Sequence, residues 1–119
     1  MRSILIAAAC ALMASPALAY DDSVMSSDFG NTVISKGNDN GPESHIYYNA
    51  DHTFTGKVLK PAIALKGTWS VQNNQLCMHF TPAPFGVKNP TCKPIAGAHQ
   101  IGDTWTDGQH QISLVAGIQ

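Results

Sequence analysis

After residue 19 no stretch of ten residues keeps an apolar repeat of helical period. The chain is cut instead into short runs rich in Thr, Val, Ile, Tyr, Phe and Trp, parted by Gly, Pro, Asn and Asp. β-Branched and aromatic residues suit a pleated surface, while the four breakers suit turns. Short runs and tight turns leave an all-β, antiparallel chain as the expectation. The runs place strands over 29–35, 45–49, 53–59, 66–72, 75–81, 91–95, 99–106 and 109–116, with a loop of turn-forming residues over 36–42. Three hairpins follow. One turns around Asn49-Ala50-Asp51-His52, with His52 suited to a positive φ; one turns at Asn73-Asn74. The third turns at Asp107-Gly108, which suits a two-residue type I′ connection.

Side chains on a strand alternate between faces, so parity assigns them. Trp69 and Val71 share a face, as do Leu76, Met78 and Phe80, which sends Cys77 and His79 to the other side. Ile101, Asp103 and Trp105 share parity, Ile112 goes with Leu114, and Phe54 with Val58, where Gly56 between them permits a bend or bulge. About eight short strands in a meander are expected to close into a barrel, since closure removes exposed edges. A small β-sandwich is the alternative.

The start of the chain has the three zones of an export signal. Arg2 is the positive head, Ile4 to Met13 an apolar run, and Ala17-Leu18-Ala19 a small-residue cleavage site after the helix-breaking Pro16. The run is too short to span a bilayer, which needs about 20 residues. Residues 1–19 are therefore expected to be a signal peptide, 20–27 a flexible tail, and 28–119 a single domain, periplasmic or secreted in a bacterium. Acylation at Cys10 would need a different flanking pattern.

Without residues 1–19 the chain has six Lys, no Arg and eight Asp plus Glu, a formal charge of −2. That balance disfavours nucleic acid and anionic membrane surfaces, both of which need clustered cations. No second apolar segment approaches spanning length, so no membrane insertion is expected after the signal. Two cysteines, Cys77 and Cys92, remain, and an even count in an exported chain reads as a disulfide.

Tyr48-Asn49-Ala50-Asp51-His52-Thr53-Phe54-Thr55-Gly56, Gly67-Thr68-Trp69-Ser70-Val71 and Gly102-Asp103-Thr104-Trp105 resemble segments of small uncharacterised exported proteins of proteobacteria. Those chains are similar in rhythm to lipocalin-like or avidin-like barrels. The resemblance covers residues 28–116 and implies a fold class; no ligand set carries over, and His52 stands where the turn usually has Gly.

Enzyme signatures are missing: there is no Gly-x-Ser-x-Gly, His-Glu-x-x-His, phosphate loop or Cys-x-x-Cys. Asp103 is the one carboxylate inside an expected strand. Buried, it would hold its proton and mark a site; a bulge at Gly102 would instead turn it to solvent or let it cap a backbone group. His45, His52, His79, His99 and His110, with Met25 and Met78, include the ligand types copper favours, but none form a close pair. Asn38-Asp39-Asn40-Gly41 fails as a calcium loop, because alignment on its glycine puts Lys36 and Tyr47 at ligand positions. No metal, cofactor or catalytic residue is expected.

Tyr48, Phe54, Trp69, Met78, Phe80 and Trp105 are the candidate lining of a ligand cavity, unless they simply fill the core. The sequence thus reads as a non-enzymatic barrel binding a small apolar ligand. The alternatives are a protein-binding module such as a hydrolase inhibitor, presenting the stiff loop 82–90 with Pro82, Pro84, Phe85 and Pro90, and a small enzyme using a buried carboxyl.

Overall fold

The computed structural model describes residues 19–38, 41–84 and 86–119. The expected export signal therefore falls outside the described residues, apart from Ala19. A short 3₁₀ helix (Asp22–Asp28) precedes eight strands: β1 (Thr32–Gly37), β2 (Glu43–Tyr48), β3 (Thr53–Leu59), β4 (Ala62–Gln72), β5 (Gln75–Phe80), β6 (Thr91–Pro94), β7 (Thr104–Asp107) and β8 (His110–Val115). All pairings are antiparallel, and the strands form one sheet in the order β6-β5-β4-β3-β2-β1-β8-β7.

The register shows why the sheet has an inside. Val33 lies opposite Ile46 on one side and Leu114 on the other, Tyr48 opposite Phe54, Trp69 opposite Met78, and Trp105 opposite Ile112. These residues share one face, the apolar parity of every strand. The sheet curls strongly around that face into a half-barrel. Closure into a complete barrel is not made by backbone pairing, because β6 and β7 are each bonded along one side only. Lys93 Nζ on β6 nevertheless lies 3.3 Å from Asp107 Oδ2 on β7, so the two margins face each other.

Turn chemistry fixes the hairpins. Asn73 and Asn74 both have positive φ, 51° and 58°, the signature of a type I′ turn, and Asn tolerates that region. His52 has φ 70°, as its place after Asp51 led one to expect. The β7–β8 turn is one residue later than expected. Asp107 pairs with His110, leaving Gly108-Gln109 as the central residues, and Gly108 alone carries a positive φ of 61°. Glycine at the first central position is the type II′ pattern, not type I′.

Other expectations shift with their reasons. Residues 99–103 are not strand: Gly102 takes φ 96°, and β7 starts only at Thr104. β4 begins at Ala62, earlier than its Trp-bearing half suggests, because it pairs with β3 down to Leu59 opposite Ala62. Pairing runs without a bulge through Gly56, which lies opposite both Ile46 and Leu65. Glycine is needed there for proximity, since a Cβ would sit 2.5 Å from the His45 carbonyl oxygen. At Gly67 the clash would be worse, 1.9 Å from the His79 oxygen and 2.9 Å from the Phe54 ring.

The stretch 20–27, read from the sequence as a flexible tail, holds the 3₁₀ helix and packs on the sheet. Asp21 caps it by accepting from the Ser23 amide at 3.0 Å. Met25 is only 4% exposed and joins Ile46, Tyr48, Phe54, Trp69 and Met78 in the core. Further ties hold the segment: the Tyr20 amide donates to Asn74 Oδ1 at 2.7 Å, and His52 Nε2 lies 2.6 Å from Asp22 Oδ2. Cys77 and Cys92 lie directly opposite each other on β5 and β6, on the outer face, with their sulfurs at bonding distance.

Candidate functional site

Alternate hairpins of a meander fall at opposite ends of its sheet. The 49–52 and 73–74 turns and the 3₁₀ helix occupy one end; the described parts of the connections that follow β1, β3, β5 and β7 occupy the other. At the helix end the interior is filled. Trp69, 2% exposed, donates its indole N–H to the Asn49 carbonyl at 2.9 Å and stacks on His52 with ring centroids 4.4 Å apart. Phe29 tilts against the same indole at 5.8 Å, and Tyr48 meets it edge-on at 6.4 Å. Phe54, 1% exposed, packs edge-on to Phe80 at 5.1 Å.

Beyond this plug the curled sheet leaves a cavity of about 760 Å³. Among the residues of its apolar wall are Ile46, Val58, Leu65, Met78, Trp105 and Ile112, from β2, β3, β4, β5, β7 and β8. The loop between β5 and β6 supplies Pro84, Val87 and Lys88, and the crossing from β6 to β7 supplies Ile95 and His99. That loop is held by Asn89, whose side-chain amide accepts from the Phe80 amide at 2.9 Å and donates to the Phe80 carbonyl at 2.7 Å, as a neighbouring strand would. A shallow dish beside Tyr20, Asp21 and Val71 is open to solvent.

The six aromatic and thioether residues singled out by the sequence therefore divide. Tyr48, Met78, Phe80 and Trp105 reach the cavity; Phe54 and Trp69 sit in the plug and do not line it. The structure adds groups that parity alone did not reveal. Val24, Met25 and Asp28 reach the cavity from the N-terminal helix. Lys93, Asp107 and His110 reach it because inward positions at the sheet margins are polar.

Asp28 is the electrostatic exception. Burial pushes its carboxyl up to about 6, since removing water penalises the charged form. Among the described residues its side chain has no hydrogen-bond or ion-pair partner. Tyr48 is close enough that its phenol is held well above the ordinary value, first by burial and then by the negative charge of Asp28. The Tyr48 hydroxyl donates to the Met78 sulfur at 3.4 Å, a weak acceptor. At the margin, His99 stacks flat on Trp105, with centroids 3.4 Å apart and ring planes 2° from parallel. Burial lowers the His99 pKa, and Asp103, 3.9 Å away, opposes that shift.

Asp103 itself is exposed and caps a turn, accepting from the Gln100 amide at 2.8 Å. Of the five histidines, His45 is buried on the outer face beside Glu43 at 3.0 Å, His52 and His99 stack on the tryptophans, and His79 and His110 are exposed. Among the described residues no three His, Cys, Asp or Glu side chains converge as a metal site would need. Nor is any helix among them long and apolar enough to cross a membrane. No protein-family model, curated protein or solved structure matches the chain.

Proposed function

We propose that this protein is a non-enzymatic exported carrier, periplasmic or secreted, which holds a small apolar molecule in the hollow of its curled sheet. The cavity supports this reading more than any other observation. Ligand sites of this kind are concave, mostly apolar, and roughly 300–1,000 Å³ in volume, and about 760 Å³ lies within that range. Its polar groups, among them Asp28, Lys88 and the Lys93–Asp107 pair, interrupt a wall that is otherwise mostly apolar. A protein-binding module would be favoured by a filled interior and a protruding 82–90 loop. Pro84, Val87 and Lys88 face the hollow instead. An enzyme built on Asp103 would need that carboxyl buried, and it is solvated.

The test is titration of the oxidised protein with a neutral apolar fluorophore, N-phenyl-1-naphthylamine, read also through tryptophan emission. Saturable one-to-one binding that perturbs Trp105 supports the carrier, and Trp105→Phe should then remove the tryptophan response while Trp69→Phe leaves it. Absence of saturable binding, together with a protein adduct in native mass spectrometry of the protein taken from producing cells, would replace this reading with the protein-binding one.

A further inference from the structure

The cavity has an apolar wall along most of its length but a carboxyl at the end where the N-terminal helix lies. Asp28 ends that helix, lines the cavity, and has no side-chain partner among the described residues. An ionised carboxylate in apolar surroundings without a compensating charge is unfavourable, and a cation brought by a ligand removes that penalty.

We propose that Asp28, with the Tyr48 hydroxyl beside it, is the recognition point for a protonated amine carried at one end of an apolar ligand. This inference deepens the carrier reading and rests on it. The ligand class is an alkyl or aryl amine: its apolar body lies against Ile46, Leu65, Met78 and Ile112, and its ammonium meets Asp28. The remaining charges on the wall do not compete for that role. Lys93 and Asp107 neutralise each other at 3.3 Å, Lys88 belongs to the loop at the opposite end, and His99 and His110 lie by the sheet margins. From β2, the strand that brings Tyr48, no other titratable side chain reaches the cavity: Glu43, His45 and Tyr47 have the outward parity. A carboxylate-bearing ligand would meet Asp28 with like charge and is disfavoured at that end.

The pH dependence follows from the same group. Its carboxyl, lifted to about 6 by burial, is largely ionised at neutral pH and protonated a unit or more below that. An alkylamine keeps its proton throughout, as the Lys ammonium does with its pKa of about 10.4. Amine binding should therefore be strong above about pH 7 and weaken towards about pH 5, whereas an uncharged ligand of the same shape should show no such loss.

Competition against the bound fluorophore by decylamine and by decanol, at about pH 7.5 and about pH 5, separates the possibilities. In the wild type, decylamine should outcompete decanol by about tenfold or more at the higher pH and lose that advantage at the lower one. Asp28→Asn, nearly the same in shape, should abolish the preference for decylamine over decanol and its dependence on pH. Equal competition by both compounds at both pH values would overturn the assignment of Asp28 while leaving the carrier intact. Failure of the fluorophore itself to bind would overturn both, and a bound fluorophore that neither compound displaces would overturn the assignment of Asp28. The wild-type pH comparison requires no variant, so it decides the matter even if Asp28→Asn does not fold.

Discussion

Replacing Asp28 by Asn removes a charge that the fold holds in apolar surroundings, and the effect on stability can be worked from the structure. Burial lifts this carboxyl from 3.8 to about 6. Each unit corresponds to about 1.4 kcal/mol, so ionised Asp28 disfavours the folded state by up to about 3 kcal/mol. The group is only half-buried, and solvent screening brings the working figure to about 1–2 kcal/mol. Because the folded pKa lies above the unfolded one, the folded protein binds this proton more tightly. The associated stability is complete below the unfolded value near 3.8 and is lost as pH rises through about 6. Urea unfolding of both proteins from about pH 4 to about pH 8 should therefore show Asp28→Asn the more stable by about 1–2 kcal/mol above pH 7, with the gap closing towards pH 4. Asp21 and Asp51, lowered chiefly by hydrogen bonds from the Ser23 and Thr53 hydroxyls, and His99, lowered by burial, also make stability vary with pH. They are common to both proteins and cancel in the difference. A gap that does not change with pH would refute the reasoning, since it would mean that burial leaves this carboxyl unshifted. A variant less stable at neutral pH would refute it by showing that the carboxylate has a favourable partner in the fold.

Replacing Cys77 and Cys92 together by Ser opens a 15-residue loop, which the chain-entropy treatment values at about 3 kcal/mol, readable as a lower urea midpoint. Met25→Ala, truncating a core side chain that is 4% exposed, should cost about 2–4 kcal/mol by equilibrium unfolding, where a truly loose tail would cost nothing. Gly67→Ala places a methyl 1.9 Å from the His79 carbonyl oxygen, and more than about 4 kcal/mol of destabilisation, or loss of folded protein by circular dichroism, should follow.

Much of the sheet was legible because alternation is a strictly local code. Trp69, Met78, Phe80, Ile112 and Leu114 point inward by parity alone, and Cys77 meets Cys92 because β5 and β6 are neighbours in sequence and in space. The N-terminal helix was not legible. Seven residues at three per turn are too few to show a period, and Val24, Met25 and Phe29 bury themselves only against the finished sheet. The division of the candidate lining was hidden for a similar reason. Phe54 and Trp69 share parity with Tyr48 and Met78, and only the packing of the finished fold divides plug from cavity. Asp28 was overlooked because its importance comes from its surroundings. The β7–β8 turn moved by one residue because Asp-Gly and Gly-Gln both satisfy hairpin chemistry, and pairing with β1 chose between them.

The gap between β6 and β7 sets the girth of the molecule in an unusual way. A barrel sewn shut by a final ladder has a circumference counted in whole strands, and anything inside must fit that count. Here one ion pair, Lys93 with Asp107, spans the gap. In the carrier reading proposed above, the sheet would act as a sprung collar, its diameter answering to twist and to what it encloses, and cargo wider than its mouth would have a route in from the side.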